Sequence, residues 1–316
     1  MSLKLDGFIG HEQQIGRLSA LVETRELPHA FCFSGAHGLG KRKIARALFE
    51  AIAGVDLQRY PDLWTIEREI NKKTKELKKQ IAVEQIRDLK DQLTKTSLSQ
   101  GKKLVLIKEA ETLSTAAQNS LLKTLEEPRG DTLIILLASS AQSLLPTIQS
   151  RCQIIHFQPL SNESIKSFLG YHPDFIGSEA SDLDLIAELS LGIPGRALDL
   201  SASSLDSDFN FIEQFLTSGV AIRFTQIADL IKKKDKHLTT RRIHLMRITL
   251  QKLLEQQTGA STSQLLTKRL TTVKTRYSAQ PISKTTKALA ILSDVESAIS
   301  RNCSPAIALE HFALSL

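Results

Sequence analysis

Short apolar runs alternate with amphipathic stretches through the first half of the chain. Phe31-Cys32-Phe33, Leu104-Val105-Leu106-Ile107, Leu133 to Ala138 and Ile154 to Phe157 carry no polar alternation. That is the mark of strands buried on both faces. Helical spacing fills the intervals. Ile44, Leu48 and Ile52 form one stripe and predict a helix from 41 to 53, with Gly54 as its stop. Ser114 predicts the cap of a second helix carrying Leu121, Leu122 and Leu125, which must end before Pro128. Buried strands interleaved with helices imply a parallel α/β sheet.

After Pro159 strand-like runs become scarce. Residues 162–200 read as a small helical unit closed by Gly192-Ile193-Pro194-Gly195, and the serine-rich stretch from Ser201 to Asp208 reads as a linker. From Phe209 to Leu316 the spacing is helical throughout, with Ser304-Pro305 opening the last helix. No internal repeat is present. The pattern predicts three domains: 1–158, 159–203 and 204–316.

Composition narrows the class. With 41% hydrophobic and 24% charged residues in 316, a soluble chain with a sizeable core is expected. No run of about 18 apolar residues could span a membrane. Met1 to Gly10 lacks the apolar core and cleavage site of a signal peptide. Cys32, Cys152 and Cys303 lie far apart with no CxxC pair, which argues against a disulfide framework or a cysteine-rich zinc site and fits a reducing cytoplasm. A net charge of +7 suits work near nucleic acid and suits many other roles. Aromatics at 5% do not suggest base stacking.

Three segments carry candidate chemistry. Gly35-Ala36-His37-Gly38-Leu39-Gly40-Lys41-Arg42 follows a strand and opens a helix. That is the setting of a phosphate cradle, in which Gly35, Gly38 and Gly40 let backbone N–H groups turn inward and Lys41 reaches the terminal phosphates. The pattern normally ends in the Ser or Thr that holds magnesium, and here Arg42 stands there. The strand ending at Ile107 should likewise carry an acidic pair. Its first position is Lys108, and Glu109 takes the place of the acid that activates the attacking water. Cations at both metal positions argue against hydrolysis. Third, Arg151 in Ser150-Arg151-Cys152 precedes a strand. Its position fits an arginine reaching a neighbour's nucleotide, and equally one paired with a carboxylate of its own sheet.

Taken with Leu27-Pro28-His29-Ala30-Phe31, Asn119-Ser120-Leu121-Leu122-Lys123-Thr124-Leu125-Glu126-Glu127-Pro128 and Leu144-Leu145-Pro146-Thr147-Ile148, these segments resemble the clamp-loader branch of the AAA+ ATPases. Residues 5–160 carry nearly all of the resemblance. It implies an α/β P-loop AAA+ parallel-sheet domain, a small helical lid and an all-α collar that joins a pentameric ring. Arg42, Lys108 and a length without extra C-terminal domains point to a non-hydrolysing stator of the DNA polymerase III clamp loader rather than a motor subunit. The resemblance then implies that Arg151 acts in trans on a neighbour's ATP, and that Gly35, Gly38, Gly40, Lys41, Glu109 and Ser139 form a vestigial nucleotide site. It implies no metal, and at most weak nucleotide binding without magnesium-dependent hydrolysis. The expected partners are motor and clamp-opening subunits in a hetero-oligomeric ring, the sliding clamp indirectly, and primed DNA, with no membrane. The competing readings are an ATP-hydrolysing motor subunit and a stand-alone AAA+ ATPase.

Several residues have plainer readings. Many relatives hold zinc through four cysteines after the P-loop helix, and residues 51–66 contain none. Gly195 falls where motor subunits place a nucleotide-sensing arginine. Lys72, Lys73, Lys75, Lys78 and Lys79 fit DNA phosphates or a solvated face. Lys232, Lys233, Lys234, Lys236, Arg241 and Arg242, in the expected collar, fit a subunit contact, DNA or a solvated face. His29 and His37 flank the phosphate loop without an expected role, and Cys152 reads as a small buried hydrophobe.

Overall fold

The computed structural model describes residues 8–73, 75, 77–99, 101–200, 202–233, 235–260, 269–300 and 306–316. The chain forms two compact units. One comprises Met1–His172 with Ser190–Arg196, and the other Pro173–Leu189 with Ala197–Leu316. The segment 159–203 is thus shared between the units.

The first unit is a five-stranded parallel sheet of β1 (Ala30–Ser34), β2 (Leu63–Ile66), β3 (Lys103–Ile107), β4 (Thr132–Ala138) and β5 (Gln153–His156), in the order β2-β3-β4-β1-β5. Side chains alternate between two cores, which explains the unbroken apolar runs. Phe31, Phe33, Leu104, Leu106, Leu133, Ile135 and Leu137 face one cluster with α1 (Glu12–Thr24) and α2 (Lys41–Ala53). Cys32, Val105, Ile107, Ile134 and Leu136 face the other, with α3 (Val83–Thr94), α4 (Thr115–Glu126) and α5 (Pro146–Gln149). Helix α2 has the predicted bounds, because Gly40 and Gly54 adopt left-handed backbone at its two ends. Ser114 caps α4 by accepting from the Ala117 N–H. Strand β2 was not foreseen. It is four residues long, it sits at the sheet edge, and Thr65 is exposed. Helix α6 (Asn162–Gly170) completes this unit.

The second unit is helical. It includes most of α7 (Ala180–Ser190) and the second half of α8 (Pro194–Asp199), then α9 (Ala202–Thr217), α10 (Val220–Lys232), α11 (Lys236–Gln257), α12 (Thr271–Ser278), α13 (Ile282–Ser300) and α14 (Ala306–Ser315). The expected linker is instead the first half of α9. Leu205, Phe209, Ile212, Phe215 and Leu216 recur at helical spacing and are buried, and Asp208 between them is fully buried. Its carboxylate accepts from Arg241 Nε at 2.6 Å and from Arg242 Nε at 2.9 Å. A polar residue that looked like linker material is therefore an anchor. Arg223, also buried, donates to the carbonyls of Phe215 and Ala313 at 2.9 Å each. Both acceptors lie in last helical turns, where the dipole favours a cation. Ser304 and Pro305, with Ser201, Lys234 and Cys303, lie outside the described residues.

Candidate functional site: a phosphate loop bonded by its own chain

The glycine loop leaves β1 at the carboxyl edge of the sheet, where open α/β folds bind ligands. A cleft of about 980 Å³ lies there, lined among others by Gly38, Lys41, Arg42, Lys108, Glu109 and Ser139. The loop needs its glycines. Gly38 has φ +89°, and a Cβ there would meet Ile193 Cγ2 at 2.9 Å, while one on Gly35 would meet the Phe157 carbonyl at 2.4 Å.

The loop carbonyls are taken by the same chain. Lys41 Nζ donates to the carbonyls of Gly35 and Ala36, the latter at 2.8 Å. The Gly38 carbonyl accepts from the Gly195 N–H at 3.0 Å. The Leu39 carbonyl lies 3.1 Å from Nε2 of the buried His11. Gly195 has no room for a side chain, because a Cβ would lie 2.8 Å from Gly38 Cα. Burial pushes the Lys41 ammonium below its ordinary pKa, and the Glu111 carboxylate pulls the other way. Glu111 Oε1 accepts from the Ser139 N–H at 3.2 Å. Its Oε2 is buried without a hydrogen-bond partner among the described residues.

The two positions that the sequence assigns to a metal shell, Arg42 and Lys108, carry cations. Arg42 is exposed on the first turn of α2, with no ion pair among the described residues. Lys108 pairs with Glu67. Next to it, Glu109 Oε2 accepts from Arg68 Nε at 2.6 Å, and Glu109 adopts a left-handed backbone at φ +47°. The parallel register sets Ile66 beside Ile107, so Glu67-Arg68 emerge next to Lys108-Glu109. The two pairs follow the strand register, 67 with 108 and 68 with 109, and hold both charged groups at the end of β3 against β2.

Arg151 follows α5. It pairs with Glu126 at 2.5 Å, and Nη1 donates to the Thr147 carbonyl at 2.9 Å and to Ser150 Oγ at 3.2 Å. Cys152 is partly buried against the second sheet core, and burial raises its thiol pKa to about 12. In the lysine-rich segment Lys78 pairs with Glu69, while Lys72, Lys73, Lys75 and Lys79 are exposed. Arg241 and Arg242 are committed to Asp208. His29 and His37 are exposed. Sequence reasoning missed Glu67, Arg68, Glu111 and His11. The first two would have followed from the register had β2 been recognised.

A parallel 2-3-4-1-5 sheet with a glycine loop after β1 and a polar strand end at Ser139 defines the AAA+ class of P-loop fold. The solved structure of a DNA polymerase III gamma subunit-related protein from Thermotoga maritima shares that fold, with a TM-score of 0.53 at 19% identity over 94% of this chain and 97% of that one. Residues 10–161 match the family described as DNA polymerase III, delta subunit. Over 164 residues the chain is 35% identical to DNA polymerase III subunit delta' of Bacillus subtilis, covering 47% of each. It is 36% identical to the Haemophilus influenzae delta' over 138 residues, covering 43% of this chain and 41% of that one. Subunit tau of Escherichia coli is 30% identical over 218 residues, covering 63% of this chain and 32% of tau. Over its α/β part the chain is therefore similar to clamp-loader proteins of the AAA+ class, and among them to the DNA polymerase III delta' subunits. The chain spans about half the length or less of the curated delta' relatives it matches.

Proposed function

We propose that this chain is a non-hydrolysing stator subunit of a DNA polymerase III clamp loader. It sits in a hetero-oligomeric ring with motor and clamp-opening subunits, and offers Arg151 to a neighbour's ATP during loading of the sliding clamp on primed DNA. In this reading 159–203 serves as lid and 204–316 as collar. The observation that carries the proposal is the pair of cations at the metal positions, Arg42 and Lys108, with Glu109 held by Arg68. Hydrolysis of a nucleotide triphosphate depends on a divalent ion to offset charge on the transferred group, and a cationic pocket repels that ion. The loop that would cradle phosphate also has its lysine turned onto its own carbonyls.

Two measurements test the reading. The purified chain should show no Mg-ATP turnover, and steady turnover lost in Lys41→Ala would overturn it in favour of an enzyme. In a loader reconstituted with the other subunits, Arg151→Ala should lower DNA-dependent ATP hydrolysis and clamp loading. The site served by the arginine would lose about 10³-fold or more, diluted by intact sites elsewhere in the ring. Unchanged rates would remove the trans role.

A further inference from the structure

Arg151 is not idle in this chain, and its bonds limit what it can grasp. A guanidinium has five N–H donors. Two of them, on Nη1, face the Thr147 carbonyl and Ser150 Oγ, both on or next to the short helix α5. Nε is buried with no hydrogen-bond partner among the described residues. Nη2 is held by Glu126 Oε1 at 2.5 Å. Two hydrogens are left, one on Nη2 and the one on Nε, and the second is buried, so only Nη2 can meet an incoming oxygen, whereas an arginine that grips a phosphoryl group with its fork needs two parallel donors. The α5 acceptors are local and move with the arginine. Glu126 is different: it ends α4, a separate element, and its side chain is 48% exposed.

We propose that Glu126 is a positioning residue that parks Arg151 on its own chain and must release it before the arginine can engage a neighbour's phosphate. The proposal rests on the trans role of Arg151 set out above. The pair is a brake: its carboxylate competes with the phosphoryl oxygens for the same donor. A half-exposed ion pair of this kind is weak, so a neighbouring triphosphate can displace it once the ring has closed, and the brake is worth about a two- to fivefold rate effect.

The test is a reconstituted loader carrying Glu126→Gln, Glu126→Asp or Arg151→Ala, with steady-state ATP hydrolysis measured with and without primed DNA and clamp. Glu126→Gln should raise kcat about two- to fivefold without DNA, with KM for ATP unchanged, since the parked pair opposes the chemical step rather than binding. Glu126→Asp keeps the charge and should return kcat toward that of the unaltered chain. A kcat for Glu126→Gln that is unchanged, or lowered like that of Arg151→Ala, would overturn the parking role while leaving the arginine's own role intact. If Arg151→Ala itself leaves hydrolysis unchanged, the trans reading fails, and this inference with it.

Discussion

Replacing Asp208 by asparagine removes one negative charge and almost no volume. The carboxylate is fully buried and bonded to Arg241 and Arg242, whose side chains are 18% and 12% exposed. Arg241 also donates to the Asp199 carbonyl at 3.2 Å, and the Arg242 guanidinium lies 4.2 Å from the centroid of the Phe211 ring. At an effective dielectric of about 20 each charge pair is worth about 4 kcal/mol, so the two attract by about 8. Burying the carboxylate costs several kcal/mol in return. Asparagine keeps that cost for the arginines, loses the attraction, and turns an amide N–H₂ toward a guanidinium donor. The expected loss is about 3–5 kcal/mol, or about 6–20 °C in Tm at about 2–4 °C per kcal/mol. Calorimetry and urea unfolding followed by circular dichroism measure it. An apolar triple replacement, Asp208→Leu with Arg241→Met and Arg242→Leu, should cost less than the single Asp208→Asn, because no charge is then stranded. A loss below about 1 kcal/mol for Asp208→Asn would refute the anchor, since only weak, solvated pairs give so little.

Two further expectations concern the sheet unit. Burial pushes the Asp62 pKa up, but bonds from Ser99 Oγ and N–H, the Leu98 N–H and Ser97 Oγ outweigh it and hold the carboxyl at about 2, against 3.8 ordinarily. A depressed folded pKa stabilises above the ordinary value and loses that contribution as pH falls from about 4 to about 2. Amide exchange at 97–99 should therefore quicken in Asp62→Asn near neutral pH, and the gap from the unaltered chain should narrow as pH falls below about 4 and close only below about 2. A constant gap would count against the assignment. Glu111→Gln removes the carboxylate nearest to Lys41 by charge, so ATP in EDTA should bind to the isolated chain about threefold or more tightly than before, on the order of 1 kcal/mol. Equilibrium dialysis reads this, and unaltered or weaker binding would remove Glu111 as the internal anion.

What could be read from the residues alone follows the strength of the local signals. Strands β1, β3 and β4 are unbroken apolar runs, and the left-handed glycines at positions 40 and 54 bound α2, so they were legible. Edge strand β2 has one exposed and three half-buried positions and so shows no apolar run. The candidate site divides the same way. Gly35 to Arg42, Lys108, Glu109 and Arg151 stand in local motifs. The partners that decide what those residues do come from register or from distant segments: Glu67 and Arg68 across β2, Gly195 from the start of α8, and Glu126 at the end of α4. The first half of the helix at 202–217, up to Asp208, reads as a linker because its serines and aspartates imitate one. Its true signal, Leu205, Phe209, Ile212 and Leu216, begins only at the fourth residue.

The chain passes from one compact unit to the other three times, after His172, after Leu189 and after Arg196. No single proteolytic cut can therefore release both units whole. A fragment ending at His172 would lose the Ile193 side chain from the core beneath α2, the N–H that the Gly38 carbonyl accepts, and the Gly192 carbonyl bound by the Leu160 N–H. Any attempt to isolate the sheet half must carry the seven-residue return segment with it.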